Sequence, residues 1–336
     1  MLRVVHAEGD AAARGTAIGA ELGDLIHRSL DFYRGYFADL GVRDLPTAVA
    51  PYRAAAERSL PEHVALIAAM ARAAEVPEAE LLAVNACEEL EEGAVPAERC
   101  SSFTAVGPGY TLLAHNEQWF AGDSGNAVVV VEHPSDRVAI ASPTLAACLP
   151  AVGMNAHGAA QGIHSLTARD DGVGIPRVLV SRHTLDARDR LDAVQRAGID
   201  GRAGGYAHLL AFKGGDALTV ETSAGRLAVL DGPGPHTNHY VAPELTTVRD
   251  EPGEGSVARL DRLTELLAER RPSTPEEAME LLADHESSPQ AICKHADTPD
   301  ESTIVFSMVC ELESGRMWVA PGCPCETDYE EVDLSL

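Results

Sequence analysis

Cys100 stands at the head of a strand-like stretch, Ser101 to Val106, just past a polar linker that follows the acidic run Glu88 to Glu92. That placement suits one chemistry. If the Arg99–Cys100 bond is cut, Cys100 becomes an N-terminal residue whose free α-amine sits beside its own thiol. An α-amine titrates near neutral pH, with a reference pKa of about 7.7–8.0. It can take the thiol proton, so base and nucleophile become one residue, as in catalysts that use an N-terminal threonine. A buried cysteine otherwise behaves as a small hydrophobe, and Cys100 alone does not decide between the two.

Asn238 follows the turn-rich segment Gly232-Pro233-Gly234-Pro235. A side-chain amide aimed at a developing oxyanion contributes about 2.7–4 kcal/mol to a barrier, whereas an asparagine after such a segment also serves as a turn former. Its neighbours His236 and His239 suit orientation of substrate or of Asn238 itself. Trp119 could wall a pocket for an acyl group, and His115 and Asn116 are read at the end of a strand. A rival constellation is Cys293-x-His295 with Cys323-x-Cys325. Sulfur and imidazole could hold zinc, but structural sites favour two to four residues between paired cysteines, so no metal is expected. A zinc-stabilised binding protein without catalysis remains as an alternative, as does an uncleaved, non-catalytic scaffold.

These residues need elements to carry them. The 336 residues are 45% hydrophobic, enough for a sizeable core. The stretch before Cys100 reads as a short strand over residues 1–9, then a helix from Ala11 with Ile18, Leu22, Leu25, Ile26, Tyr33 and Phe37 at helical spacing. Gly15, Gly19 and Gly23 on that helix would let another element come close. Helices follow over 47–59, 61–75 and from Pro77, and the acidic run Glu88 to Glu92 reads as a solvated helix end or loop.

Beyond Cys100 short strands dominate: 101–106, 110–115, 128–132, 138–141, 159–166, 206–213, 217–222, 226–230, 303–311 and 316–320. Gly153 to Gly158 reads as a turn. Paired helices lie between, over 176–185 with 190–198 and over 257–269 with 275–284, the last capped by Thr274. Without strict strand–helix alternation this is an α+β fold, helix–sheet–sheet–helix. The domain division is 1–99, a helical N-terminal segment packed on the core, and 100–336, the αββα core.

The formal charge of −26 disfavours nucleic acid and anionic membranes as partners. No apolar run reaches the roughly 18 residues of a membrane span, and the N-terminus lacks the apolar region of a secretory signal. A cytosolic, cytoplasmic protein is the expectation, with oligomeric state open and a homodimer included. Seven cysteines at irregular spacing do not form a disulfide framework.

Several segments, in order, resemble the acyl-coenzyme A:6-aminopenicillanic acid acyltransferase (isopenicillin N acyltransferase-like) family of N-terminal nucleophile hydrolases. They are Glu8-Gly9 with Arg14-Gly15-x-x-x-Gly19, Cys100-Ser101-Ser102-Phe103, His115-Asn116-Glu117-Gln118-Trp119, Gly153-Met154-Asn155-x-x-Gly158, His236-Thr237-Asn238-His239-Tyr240, and the closing pair Thr303 to Ser307 and Trp318 to Gly322.

The resemblance implies the four-layer αββα fold, a precursor that cuts itself between Arg99 and Cys100, and a mature cysteine enzyme that breaks or remakes amide bonds through a thioester on Cys100. Asn238 would stabilise the oxyanion. The partners implied are a small-molecule acyl donor and an amine or water as acceptor, with no cofactor. No phosphate-cradling glycine loop is present to read coenzyme A from the residues. One departure stands out: the family often has Asp where this chain has Gln118. Glu117 next to it carries an acid but points to the opposite strand face.

Overall fold

The computed structural model describes residues 2–91, 99–249, 251–332 and 334. Strand β1 (Val4–Gly9) leads into helix α1 (Ala11–Asp39), capped by Asp10, whose carboxylate accepts from Ala13 N–H. The apolar spacing read from the sequence becomes one buried stripe, Ile18 through Phe37. Helices α2 (Leu45–Ser59), α3 (Pro61–Ala73), α4 (Glu78–Val84) and the single turn α5 (Cys87–Leu90) follow. A Cβ added at Gly15 or Gly19 would lie 2.3 Å from the carbonyl oxygen of Leu66 or Met70. Helices α1 and α3 therefore meet backbone to backbone. Gly23 is not part of this contact, its nearest atom being 3.9 Å away.

After Cys100 come β2 (Ser101–Gly107), β3 (Tyr110–Phe120), β4 (Ala127–Pro134), β5 (Ile140–Leu145), β6 (Gly153–Asn155) and β7 (Ala159–Leu166). Helices α6 (Arg177–Leu185) and α7 (Arg190–Ala197) intervene before β8 (Gly205–Phe212), β9 (Asp216–Thr222), β10 (Leu227–Asp231) and β11 (Pro235–His236). The chain closes with α8 (Glu254–Arg270), α9 (Pro275–Leu282), β12 (Ser302–Glu311), β13 (Arg316–Ala320) and β14 (Glu330–Val332). Thr274 caps α9, its hydroxyl accepting from Glu277 N–H.

The strands form an eight-stranded sheet, β1-β4-β5-β6-β7-β8-β9-β10, and a six-stranded sheet, β11-β2-β3-β12-β13-β14. Pairing among the described strands is antiparallel except for β1 with β4, which is parallel. Strand β4 shows why its sequence is apolar throughout. Val129 and Val131 face the other sheet, with Leu113, Phe306 and Met308 opposite. Val128 and Val130 face the N-terminal helices and α6. On the far side, Leu263, Leu266, Leu281 and Leu282 of α8 and α9 cover Phe103, Leu112 and Ala114. Helix α7 covers Leu210, Leu218 and Val220. The result is the helix–sheet–sheet–helix layering expected of an N-terminal nucleophile hydrolase.

A buried ion-pair network ties the N-terminal helices to the sheets. Arg14 on α1 donates to Glu132 on β4 at 2.6 Å, both no more than 1% exposed, and Arg182 on α6 bridges Glu132 to Asp186. Removing one member would strand a charge in the interior.

Three local expectations change. Strand β3 runs on to Phe120, so His115 and Asn116 lie mid-strand. Gly153 to Asn155 forms β6, with only the residues after it in a turn. The acidic run is not solvated: Glu88 and Glu91 clasp Arg99, and Glu89 is buried against Arg177. Glu92 and the rest of the linker over 92–98 lie outside the described residues.

Buried histidines give a pH expectation. Burial first, then neighbouring positive charge, holds His63, His164 and His208 below the usual histidine range, His208 at about 3. A folded pKa below the unfolded value of about 6.5 means the unfolded chain binds more protons below that pH, so stability is lost as pH falls. Asp123, Glu89 and Asp171 act oppositely, their carboxyls pushed up mainly by burial, Asp123 to about 6, but they stand against five histidines once His183 and His239, also held low by burial, are counted. The melting temperature is expected to fall by roughly 5–10 °C between pH 7.5 and 5, on the scale of a few kcal/mol for a chain of this size. A scanning-fluorimetry series that stays flat or rises would contradict it.

Candidate active site

Strand β2 begins one residue after Cys100, and the hairpin to β3 sets what faces the thiol. Ser101 pairs with Asn116 and Ser102 with His115, which puts Cys100 opposite Glu117. The Cys100 thiol, 3% exposed, donates to Glu117 Oε1 at 3.3 Å. Glu117 Oε2 lies 2.9 Å from His115 Nε2, and His115 Nδ1 lies 2.6 Å from Ser102 Oγ. Thiol, carboxylate, imidazole and hydroxyl thus form one line between the two sheets. Burial and then the Glu117 charge push the Cys100 thiol well up from its ordinary value, so it is a thiol rather than a thiolate in this environment.

Asn116 and Gln118 share the other face of β3. Asn116 Nδ2 donates to Leu282 O at 2.9 Å and to Ile292 O at 3.0 Å, and Gln118 Nε2 donates to Ser302 Oγ at 2.9 Å. Asn116 braces the end of α9 and the loop after it, and Gln118 braces the start of β12. The acid at the thiol is Glu117, and Gln118 is turned away.

Arg99, the residue before the thiol, is held on every side. Its N–H donates to Asn238 Oδ1 at 2.9 Å. Its guanidinium donates to Glu88 at 3.1 Å and to Glu91 at 2.8 Å, and lies 3.7 Å above the Trp119 ring. Tyr206 and Ser165 donate to Glu88, and Tyr36 to Glu91, which fixes the two carboxylates. Trp119 itself donates to Tyr33. Glu88 and Glu91, from the stretch before it, therefore hold the side chain of the residue that precedes Cys100.

Asn238 is fixed from behind. Its N–H donates to Ser256 Oγ at 2.8 Å, and His239 Nδ1 lies 2.8 Å from the same hydroxyl. Its Nδ2 donates to Ser165 O at 3.3 Å. His236 lies 2.8 Å from the buried carboxylate of Glu221. Sequence reasoning missed Arg259. This buried α8 residue donates to Cys100 O at 2.6 Å, to Ser101 Oγ at 2.7 Å and to Asn238 Oδ1 at 3.1 Å. Nothing local marks it, since its partner carbonyl is 159 residues away in sequence. An apolar cavity opens beside Glu117, lined by Trp119, Leu145, Leu149, Ile163, Val178 and Phe306.

The family described as acyl-coenzyme A:6-aminopenicillanic acid acyl-transferase matches residues 106–325. The chain belongs to that family. The matched span starts just after Cys100 and takes in Glu117, Asn238 and Arg259. Family membership makes acyl transfer the general kind of chemistry here. Similar solved structures include penicillin V acylase from Agrobacterium tumefaciens, at 14% identity and a TM-score of 0.46, covering 70% of this chain and 86% of that one. Another is a mutant of conjugated bile acid hydrolase from Clostridium perfringens, at 11% identity and 0.46, covering 70% and 92%. Among curated protein sequences none matches. Among the described residues no helix is long and apolar enough to cross a membrane.

Proposed function

We propose that this chain is a self-processing cysteine enzyme that acts on amide bonds of small acylated amino compounds. The observation that carries the reading is the Cys100 thiol within hydrogen-bonding distance of Glu117, with the preceding residue clamped at its backbone and its side chain. In the precursor Glu117 takes the thiol proton as sulfur attacks the Arg99 carbonyl. Glu117 passes that proton to the nitrogen of Cys100 as the C–N bond breaks, so the nitrogen leaves as an amine and Arg99 is held as a thioester. Water then cleaves the thioester, leaving a carboxylate on Arg99 and a free amine on Cys100.

In turnover the thiol attacks the substrate amide, and the α-amine passes the proton to the departing amine. The thioester goes to water, giving hydrolysis, or to an amine, giving acyl transfer. The apolar cavity beside Glu117 suits the acyl group. Asn238, relieved of Arg99, can turn its amide towards the oxyanion. The test is mass spectrometry of the purified chain, alone and after incubation with N-acyl amino compounds and aryl thioesters. A fragment starting at Cys100, with an acyl adduct on that residue, is the expected result. Full-length protein with no adduct from any compound would overturn the reading.

Asn238→Ala separates its role from that of the nucleophile. Turnover is expected to drop ~10²–10³-fold if the amide serves the oxyanion. Alkylation of Cys100 by iodoacetamide should persist at close to the parental rate. Unchanged turnover, with the variant folded by circular dichroism, would remove Asn238 from the mechanism.

A further inference from the structure

Far from the thiol in sequence, two loops on the outer side of the six-stranded sheet bring four metal-binding side chains together. His285, Cys293 and His295 come from the loop after α9, and Cys325 comes from the segment after β13. Their ligand atoms all lie within 4.8 Å of one another. Cys293 Sγ is 3.6 Å from Cys325 Sγ. His295 Nε2 is 3.3 Å from Cys325 Sγ and 3.9 Å from Cys293 Sγ. His285 Nε2 is 3.0 Å from His295 Nε2.

These are four of the six edges of a tetrahedron, and the other two, from His285 to the sulfurs, are within 4.8 Å. With Zn–S near 2.3 Å and Zn–N near 2.0–2.1 Å, tetrahedral geometry requires about 3.8 Å between sulfurs, about 3.5 Å from sulfur to nitrogen and about 3.3 Å between nitrogens. The spacing that argued against a metal counted residues within each pair. Here the two sulfur ligands come one from each loop, so that count does not apply. An orienting partner is also in place: Glu326 Oε1 lies 3.5 Å from His295 Nδ1, on the ring edge away from the cluster. Cys323 is a further thiol beside these four: it meets the Cys293 thiol and lies with His295 and Glu326 in a second, overlapping group, while also reaching the Lys294 and Ile304 carbonyls at 3.5 and 3.8 Å.

We propose that His285, Cys293, His295 and Cys325 form a structural zinc site that staples these two loops together. Binding converts two thiols to thiolates and releases two protons to solvent, so the occupied site is neutral overall. Four protein ligands leave no open position for water or substrate, which is the arrangement of a structural rather than a catalytic zinc. The staple would stiffen the segment that Asn116 grips at Ile292 O, immediately before Cys293. It does not depend on the acyl chemistry of Cys100, and its test does not read activity.

The full chain is purified under reducing conditions, stripped with a chelator, reconstituted with zinc alone, desalted and assayed by elemental mass spectrometry. One zinc per chain is expected, as a closed four-ligand site requires. Replacing zinc by cobalt(II) should give the visible bands of a tetrahedral site with thiolate charge transfer. Cys325→Ser with His285→Ala should lose the zinc and the cobalt bands while remaining folded, since both residues are exposed. Cys148→Ser, which alters a thiol outside the cluster, should keep both. Zinc well below one per chain in the parent, zinc retained by the double variant, or a Cys293–Cys325 disulfide in place of metal would each overturn the proposal.

Discussion

Cys100→Ala is expected to remain a single full-length polypeptide and to show no turnover, whereas the parent is expected to give fragments 1–99 and 100–336. Loss of a covalent nucleophile removes the thioester path altogether, and the drop should be at least ~10⁴-fold, on the scale seen when nucleophiles are deleted elsewhere. Cys100→Ser is the informative companion. A free thiol, with a pKa near 8.5, keeps a small thiolate fraction at neutral pH, and a hydroxyl keeps essentially none. The serine chain should process slowly and turn over far less. Cys100 is buried, so alanine leaves a small void costing roughly 1–2 kcal/mol, and circular dichroism will separate that loss from a chemical one. An alanine chain that is cut and active like the parent would end the case for this residue.

The second large effect is at Glu117. Glu117→Gln keeps the size and a hydrogen-bonding head but can no longer take the thiol proton. Release of the fragment starting at Cys100 is expected to slow ~10²–10⁴-fold, the usual worth of a general base. Gln118→Ala is the matched control. Its side chain lies across the strand, donating to Ser302, so cleavage should stay within about threefold of the parent if the facing of β3 governs access to the thiol. The time course of fragment release on a denaturing gel reads both variants. If Gln118→Ala proves the slow one, the assignment of the acid to Glu117 is wrong.

The pair shows where sequence reasoning stopped short. The turn at Pro108-Gly109 is visible in the sequence, and counting back from Gly107 opposite Tyr110 sets Cys100 against Glu117. Register was therefore within reach. Glu117 is set aside in the sequence because it faces away from Gln118, and the register shows that this face is the one the thiol occupies.

The elements themselves were legible for ordinary reasons. Period-3.6 burial marked α1, the unbroken valines marked a strand covered on both faces, and the threonine cap marked α9. Glu88 and Glu91 were misplaced because acidic runs are usually solvated, and only the fold delivers Arg99 to them. Arg259 was invisible for a similar reason, since a buried arginine that serves a distant carbonyl has no local signature. The cysteine and histidine cluster was set aside on spacing within each pair, a rule that says nothing about ligands meeting from separate loops.

Strand β1 has a bearing on what a cut at Arg99–Cys100 would do. It lies at the edge of the eight-stranded sheet and pairs in parallel with β4, while Arg14 is buried against Glu132. Strand β1 and helix α1, on the early side of that bond, are thus built into the same interior as the sheet after it. Cleavage would change the molecularity of the protein and leave its shape alone. Contacts once guaranteed by a covalent tether become a two-chain association with its own dissociation constant, and the enzyme acquires a sensitivity to dilution that its precursor lacks.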